Sequence, residues 1–525
     1  MLKVEAKLWR QNKCYYLMLL LIVVQSVVFL LLGLWRHWGY LTSINDLGCF
    51  DQVVWKAANG LSLVNTSNFS QPVQWLGFHF QPILYLFVPL YKILPTANWF
   101  ILAQSIALPI AAWPLFRIAE QVTKSEVAAL MWAVAFMFNP FVLNAAAWDF
   151  HPVSLAVPFF ALALLAVEQK RPLLLLCACI VIASCKEHFG LAVAGIGLLY
   201  WVRHRGSLVG VSFVLIGLIS IVCIVGYIMP SLSPTGKQIM LSEGSGHLSR
   251  YGWLGGSIQE IIKNVIINPM YILERVFLNM GGLKYLMLLL LPFLFFPLFS
   301  SFCLLPAIGD ILANLLSANP MPRGIFSYHS VTIIPVLAVA AIHGCNKLNW
   351  LIKRYSLVEI SGFVLLVNLG LGYWLAPFPL PGSTNMWKAV YLVASYDVKD
   401  TRIKDFVGDG SLSVQANLGA HFSQRTALYR YPEKIEDVDY IVLRLESPTK
   451  RLKPYEKGVI GTWAHHLQIS PEQYLSSVEG LINDESYNIL VWDSPWLVMG
   501  RDQQSQVEKK SVLLKINQLR KEWMN

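Results

Sequence analysis

Four carboxylates stand where this sequence is otherwise apolar, and they are its strongest candidates for chemistry. Asp46, Asp51, Asp149 and Glu187 each lie beside a long apolar run, in strings that also contain amides, imidazoles or a lysine. Ionisable residues near a bilayer are rare and usually functional. Because a carboxylate in such a place acts as a general base or holds a divalent cation, these positions indicate a catalytic site.

Cations and imidazoles accompany the carboxylates. Lys186 directly precedes Glu187, and further polar candidates follow apolar segments, namely His79, His151, Arg323, Tyr328 and His329. Since Lys and Arg bind phosphate, the set predicts a site for a phosphorylated substrate. Simpler roles stay open. Asp46 could be a helix N-cap and Asp51 a favourable charge at a helix start. Lys186 and Glu187 could form a structural ion pair.

The composition places most of the chain in a membrane. Of 525 residues, 55% are hydrophobic and 14% charged, whereas soluble domains average about 25% charged residues. Residues 378–525 carry 18 basic and 18 acidic residues, which leaves 41 − 18 = 23 basic and 31 − 18 = 13 acidic residues for the apolar part. This excess favours the positive-inside rule. Nucleic-acid binding is not expected, because no basic stripe with interleaved aromatics occurs.

Basic clusters predict the topology. The groups at 117–124, 170–171, 203–205 and 347–354 are placed in the cytoplasm, together with the N-terminus. About eleven spans satisfy them, at 14–35, 98–118, 126–147, 153–168, 172–185, 189–202, 207–229, 284–299, 302–317, 331–347 and 357–377. All four candidate carboxylates then face outward from the inner (plasma) membrane.

Two long segments are predicted to be outer loops. Residues 36–97 contain a helix at Phe50–Asn59 and an apolar segment, Ile83–Leu94, that is too short to span and is expected to lie in the interface. Residues 230–283 contain Lys237, Arg250 and Lys263, which run against the positive-inside rule.

The C-terminal part differs in composition. Residues 378–525 predict a small soluble, extracytoplasmic α/β domain with strand-like runs at 411–414, 440–443, 489–492 and 496–499, and helices at 471–482 and 505–523. The predicted fold is therefore mainly α, with a polytopic transmembrane helical bundle at 1–377 and an α/β domain at 378–525.

The same polar strings carry a family resemblance. The chain resembles a large family of prokaryotic polytopic membrane proteins defined by a domain of unknown function. The shared strings are Asp46-Leu-Gly-Cys-Phe-Asp51-Gln52, Gly77-Phe-His79-Phe-Gln81-Pro82, Phe150-His151-Pro152, Lys186-Glu187, Arg323-Gly-Ile-Phe-Ser-Tyr328-His329 and the stretch Ser413–Arg425. It departs from the family pattern at Gln81, where Ser is expected, and at His188, where an acid is common.

That family is in turn similar to the GT-C glycosyltransferases, which implies a GT-C-like bundle and a sugar donor on a polyprenyl phosphate. The resemblance implies Asp46 as general base. Asp149 would orient the base or hold a divalent cation, for which Asp46 and Asp149 are the candidate ligands. Lys186, Arg323 and His329 would neutralise the lipid phosphate, and Asp51, His79, His151, Glu187 and Tyr328 complete the substrate-binding candidates. The acceptor is a lipid, glycan or protein. The alternative function is a transporter or flippase of a lipid-linked sugar, which needs anion-binding groups but no general base.

Overall fold

The computed structural model describes residues 13–67, 69, 71–234, 236, 250–255, 258–352, 354–377, 402–446, 467–501 and 507–524. The chain divides into two compact units. The first unit comprises Met1–Leu30, Leu76–Ile83 and Leu102–Asn385, and the second unit comprises Leu31–Trp75, Leu84–Ile101 and Met386–Asn525. The predicted boundary at residue 378 lies outside the described residues.

Helices make up most of the structure. The α-helices are α1 Lys13–Trp38, α2 Cys49–Ala58, α3 Trp75–Phe78, α4 Val88–Ile93, α5 Asn98–Ile110, α6 Ala112–Thr123, α7 Glu126–Met137, α8 Pro140–Ala146, α9 Pro152–Glu168, α10 Pro172–Cys185, α11 Phe189–Arg203, α12 Leu208–Cys223, α13 Met229–Ser231, α14 Ile258–Ile267, α15 Pro269–Glu274, α16 Gly282–Leu290, α17 Ile308–Leu316, α18 Ile333–Ile352, α19 Leu357–Leu375, α20 Pro471–Asn483 and α21 Lys509–Met524. Shorter 3-10 segments are Pro82–Phe87, Leu291–Phe293, Phe296–Ala307, Met321–Arg323, Ile403–Phe406 and Gly419–His421, and π-helical turns are Ile44–Gly48, Ile224–Ile228 and Arg275–Asn279.

Several helices are suited to crossing a membrane. In the described part of the chain, five stretches are long and apolar enough, namely Lys13–Trp38, Asn98–Thr123, Leu208–Ser231, Phe296–Leu316 and Leu357–Leu375. Two bent pairs, α7 with α8 at 48° and Pro269–Asn279 with Gly282–Phe293 at 68°, raise the number to as many as seven. Helices α9, α10 and α11 are apolar but shorter than the roughly 20 residues of a full crossing. The count of eleven spans therefore stays a prediction.

The first unit is a packed helical bundle. Helix α6 packs against α7, α9 and α18, and α11 packs against α12. Small residues permit the last contact, because a Cβ added at Gly197 would lie 2.5 Å from the backbone nitrogen of Val214. In a membrane, where the lipid is as apolar as a neighbouring helix, small residues that let two backbones approach closely are a main cause of helix association.

A single side chain organises the bend between α7 and α8. Asn139 caps α8, since its Oδ1 accepts from the backbone N–H of Phe141 at 3.1 Å. Its Nδ2 donates to Asn368 Oδ1 at 3.1 Å, and Asn368 in turn donates to the carbonyl of Pro292 at 2.7 Å. The polar groups freed by the bend are thus satisfied inside the bundle, as an apolar environment requires.

The second unit contains a mixed five-stranded sheet. Its strands are β3 Leu412–Val414, β4 Leu428–Arg430, β5 Tyr440–Arg444, β6 Tyr487–Asp493 and β7 Trp496–Arg501, while β1 Val64–Asn65 and β2 Val73–Gln74 form a separate antiparallel pair. The sheet order is β4-β3-β5-β7-β6, with β3 parallel to both neighbours and β7 antiparallel to β5 and β6. The four predicted strands and the helix at 471–482 are present, the last helix begins at Lys509 instead of residue 505, and β4 is an additional strand. A soluble, extracytoplasmic domain stays a prediction.

The two faces of this sheet have different partners. Alternate residues of a strand point to opposite faces, and Ile441 and Leu443 pack with α20 and α21, whereas Val442 packs with Tyr40 and Ile44. A backbone hydrogen bond of 2.8 Å from Ile44 N–H to the carbonyl of Ala416 joins the same segments. Tyr40 and Ile44 are therefore part of the core beside the sheet.

Candidate functional site

The first unit brings together Lys186, Glu187 and His79. The first two lie in the tight turn between α10 and α11, and His79 follows α3. Lys186 Nζ lies 3.1 Å from His79 Nδ1 and 3.5 Å from Glu187 Oε1, and His79 Nδ1 lies 3.3 Å from the same oxygen. Three predicted site residues from two distant chain segments thus form one buried cluster.

A further charged residue, Arg250, acts on this cluster. Burial raises the pKa of the Glu187 carboxyl, but the Lys186 ammonium outweighs burial and holds that pKa well below its usual range. Burial lowers the pKa of Lys186, with Glu187 opposing and Arg250 lowering it further. Burial and Lys186 lower the pKa of His79 to about 4, so its ring is neutral at pH 7. A cation whose charge is disfavoured by a neighbouring cation is stabilised by an added anion.

Glu187 is short of hydrogen-bond donors. An ammonium group only donates, so Lys186 donates to His79 Nδ1, and that nitrogen then has no proton for Glu187. Glu187 is 7% exposed, and its Oε2 has no hydrogen-bond partner within the described ranges. A buried acceptor without a donor costs about 1–3 kcal/mol. A hydroxyl group beside an anion would satisfy both the Glu187 oxygen and the neighbouring cations.

Asp310 lies in the same unit, with partners that sequence reasoning does not identify. Its Oδ1 is 2.9 Å from His188 Nε2, and its Oδ2 accepts from the Thr332 hydroxyl at 2.7 Å. It also acts on Lys186 electrostatically. No spacing pattern connects His188 with Asp310, because 122 residues separate them. For Arg250 a signal exists, since it is a basic residue in a loop that the charge pattern places outside.

The Arg323 side chain donates mainly to backbone carbonyl groups. Its Nε donates to the carbonyl of Met280 at 2.9 Å, and its Nη1 donates to the carbonyls of Asn314 at 3.0 Å, Leu315 at 3.4 Å and Ser317. These carbonyls include the end of α17, where backbone acceptors have no helical partner. Its role in phosphate binding stays a prediction, with Nη2 as the nitrogen left for it.

Aromatic rings extend the site. The His151 ring stacks on Tyr328 at 3.5 Å between centroids, and Tyr328 stacks on His329 at 4.2 Å, both with interplanar angles of 19°. His151 Nδ1 lies 3.1 Å from the backbone oxygen of Asp149, and the backbone N–H of His151 donates to Gln104. His151 also acts electrostatically on His79 of the cluster. Flat polar rings of this kind suit the apolar face of a sugar.

The second unit contains Asp51, whose carboxylate is buried at 1% exposure. It accepts from the Tyr91 hydroxyl at 2.6 Å, the Ser423 hydroxyl at 2.6 Å and the Gln424 amide at 3.4 Å. Burial raises the pKa of Asp51, and these three donors oppose that shift. Asp51 therefore joins α2, α4 and the C-terminal segment of its own unit.

Asp46 lies in the π-helical turn Ile44–Gly48 and is half-buried. The N-cap of this turn is Ser43, whose hydroxyl accepts from the backbone N–H of Asn45 at 3.2 Å. The residue before α2 is Gly48, which makes no side-chain cap. The capping interpretation of Asp46 is therefore wrong, because Ser43 fills that role.

No metal centre is evident in the described part of the chain. Its His, Cys, Asp and Glu side chains form no group of three or more that could hold a metal ion. The role of Asp46 and Asp149 as ligands of a divalent cation accordingly stays a prediction and enters no step below.

A histidine pair makes the stability of the second unit dependent on pH. His421 stacks on His37 with ring centroids 4.1 Å apart and lies 2.8 Å, through Nε2, from the backbone oxygen of His37. Burial, His37 and Lys404 hold the pKa of His421 well below its ordinary value of 6.5. Below pH 6.5 the unfolded chain therefore binds a proton that the folded chain does not, so stability falls with falling pH.

We expect the apparent melting temperature to drop between pH 7.5 and pH 5.5. Over this range His421 should lower the free energy of unfolding by about 1 kcal/mol. His421→Gln, which keeps a donor but does not titrate, should lose much of this pH dependence. His204→Gln, in the first unit, is the matched control and should keep it. An unchanged pH dependence in His421→Gln would contradict the assignment.

The fold resembles that of solved membrane enzymes. The crystal structure of ArnT from Cupriavidus metallidurans bound to undecaprenyl phosphate shares 12% sequence identity, covers 93% of this chain and 98% of its own, and gives a TM-score of 0.50. The apo state of ArnT gives 11% identity, 92% and 97% coverage, and a TM-score of 0.47. ArnT is a GT-C glycosyltransferase. The present chain has an ArnT-like fold, and this fold together with its long apolar helices indicates an integral membrane protein. At this identity the likeness shows the fold alone.

The chain belongs to the family described as predicted membrane protein (DUF2079), whose model matches residues 36–470. This confirms the family resemblance that the polar strings indicate. A comparison with curated proteins gives no match.

Proposed function

We propose that this chain is an integral membrane glycosyltransferase that moves a sugar from a polyprenyl-phosphate donor to an extracytoplasmic acceptor. The observation that carries the proposal is the buried cluster of the first unit. Lys186 and Arg250 favour an anion, while Glu187 Oε2 has no donor among the described residues. A glycosyl phosphate supplies both, because its phosphate is anionic and its sugar hydroxyls donate. The ArnT fold, solved with undecaprenyl phosphate, supports the lipid part of this proposal.

In the proposed reaction, the acceptor hydroxyl oxygen attacks the anomeric carbon of the sugar. The bond between that carbon and the phosphate oxygen breaks, and the polyprenyl phosphate leaves with the electron pair. Lys186 and Arg250 stabilise the charge that develops on this phosphate. From the sequence alone, Asp46 is the candidate for the general base that takes the hydroxyl proton. The stacked rings of His151, Tyr328 and His329 would support the sugar.

Reconstitution tests this function. Purified protein in liposomes is incubated with a panel of polyprenyl-phosphate sugars and candidate lipid, glycan or protein acceptors, and products are identified by mass spectrometry. A new glycosidic bond with release of polyprenyl phosphate is the expected result. Movement of intact lipid-linked sugar across the bilayer without a new bond would contradict the enzyme and support a carrier.

Lys186→Met is expected to weaken the binding of undecaprenyl phosphate by about 10- to 150-fold. This range corresponds to about 1.5–3 kcal/mol for a lost charge-assisted hydrogen bond. Affinity is measured by native mass spectrometry of the detergent-solubilised protein. Lys170→Met removes the same charge from the exposed turn between α9 and α10 and should leave affinity unchanged. Equal affinity in a folded Lys186→Met protein would reduce Lys186 and Glu187 to a structural ion pair.

A further inference from the structure

The first unit contains a cavity that is lined by none of the residues of the cluster described above. It has a volume of about 810 Å³ and is lined by residues of α18, of α19 and of the segment that precedes them, among them Leu294, Phe296, Cys345, Arg354, Ile360 and Phe363. The lining is mostly apolar, and its volume lies within the range typical of ligand sites. The proposed function makes no use of it.

The chain turns sharply at one wall of the cavity. Leu294 and Phe295 adopt left-handed conformations, with φ of 51° and 60°, between the 3-10 segments Leu291–Phe293 and Phe296–Ala307. Two consecutive residues with a Cβ in this region are sterically disfavoured. Such strain persists only where the surrounding structure enforces it, and it is concentrated at functional sites.

The mouth of the cavity lies at a membrane surface. Helix α19 is one of the stretches long and apolar enough to cross, and its first residue, Leu357, directly follows the turn from α18. Trp350 and Tyr355 flank this turn and are 72% and 55% exposed. Exposed Trp and Tyr at the ends of spanning helices mark the interface between lipid and water.

The charge at this mouth is positive. The Arg354 guanidinium lies over the Tyr355 ring, 5.4 Å from its centroid, and forms no ion pair with the residues that the structure describes. Glu359, which also lines the cavity, turns to the start of α19. There its Oε2 accepts from the backbone N–H of Ser356 at 2.7 Å and from its hydroxyl at 2.9 Å. The positive end of the helix dipole at the start of α19 offsets the negative charge of Glu359. The charge that acts on a lipid headgroup at this mouth is therefore that of Arg354.

The geometry points to a binding site for an anionic membrane phospholipid. One acyl chain occupies the apolar space between Phe296, Ile360 and Phe363, and the phosphodiester of the headgroup pairs with Arg354. An apolar cavity that opens at the interface beside a single guanidinium matches a molecule with a long apolar chain and one negative charge. The proposed ligand is phosphatidylglycerol. This site is independent of the glycosyl-transfer proposal.

Native mass spectrometry of the full chain tests the site with phosphatidylglycerol and phosphatidylcholine of identical chains. The wild type is expected to bind phosphatidylglycerol about fivefold more tightly, as for one basic group at a membrane surface. Arg354→Gln should bind both lipids equally, and Arg354→Lys should keep the preference. Ile360→Trp, which fills the cavity, should weaken the binding of both lipids.

Arg171→Gln is the matched control, because it removes an exposed arginine from another turn of the same unit and should keep the preference. Equal binding of the two lipids by the wild type would overturn the proposal. The proposal would also be overturned if Arg354→Gln kept the preference for phosphatidylglycerol. Tighter binding of undecaprenyl phosphate than of phosphatidylglycerol at this site would overturn it too.

Discussion

Replacing Asp46 by Asn is expected to lower the turnover of sugar transfer by about 10²–10⁴-fold, the range typical of general-base catalysis. An amide keeps the size and much of the hydrogen bonding of the carboxylate, but it does not accept a proton at neutral pH. The fold should persist, because Ser43 rather than Asp46 caps the helical turn. Turnover is measured in the liposome assay, with donor affinity and apparent melting temperature measured on the same preparation.

The control for this change is Asp405→Asn, which removes an exposed carboxylate from the same unit and should leave turnover unchanged. Turnover near the wild-type value in Asp46→Asn would refute the assignment of the base. The role would then pass to Asp149, because the Asp51 carboxylate already accepts three hydrogen bonds.

Asp51→Ala is expected to destabilise the second unit by about 2–6 kcal/mol. The buried hydroxyl groups of Tyr91 and Ser423 would lose their acceptor, and each unsatisfied group costs about 1–3 kcal/mol. The change should appear as a marked drop in apparent melting temperature and as faster proteolysis near residues 402–446.

Tyr91→Phe is the graded comparison, because it removes one donor and leaves Ser423 in place, so its effect should be smaller. The sequence also predicts Asp51 as a substrate-binding residue, and Asp51→Ala tests that role. A protein with an unchanged melting temperature and weaker donor binding would return Asp51 to the substrate site.

Local features of the fold follow from the sequence. Apolar runs predict the long helices, and alternating β-branched and aromatic residues predict β5, β6 and β7. The serines that cap α7 and α19 also belong to this class of signal, because Ser125 and Ser356 stand immediately before their helices. Each of these features depends on residues within one turn or one strand.

The candidate site was predictable in part. Neighbouring types, such as Lys186 beside Glu187, indicate a site, but the partner of each group is set by packing between distant segments. Asp310 illustrates this, because its partners His188 and Thr332 lie 122 and 22 positions away in the chain. Asp51 has the same residue type as Asp46 and lies five positions later, yet burial and three donors give it another role.

The second unit has a consequence for biosynthesis. The Asn417 side chain donates to the backbone oxygen of Tyr40 at 3.1 Å, across 377 residues. At roughly 5–20 residues per second, about 20–75 s separate the synthesis of these two groups. During that interval Tyr40 and Ile44 leave the ribosome without the strands that later cover them. In prematurely terminated chains the apolar side chains of Tyr40 and Ile44 would stay uncovered, and we expect quality-control proteases to degrade such chains.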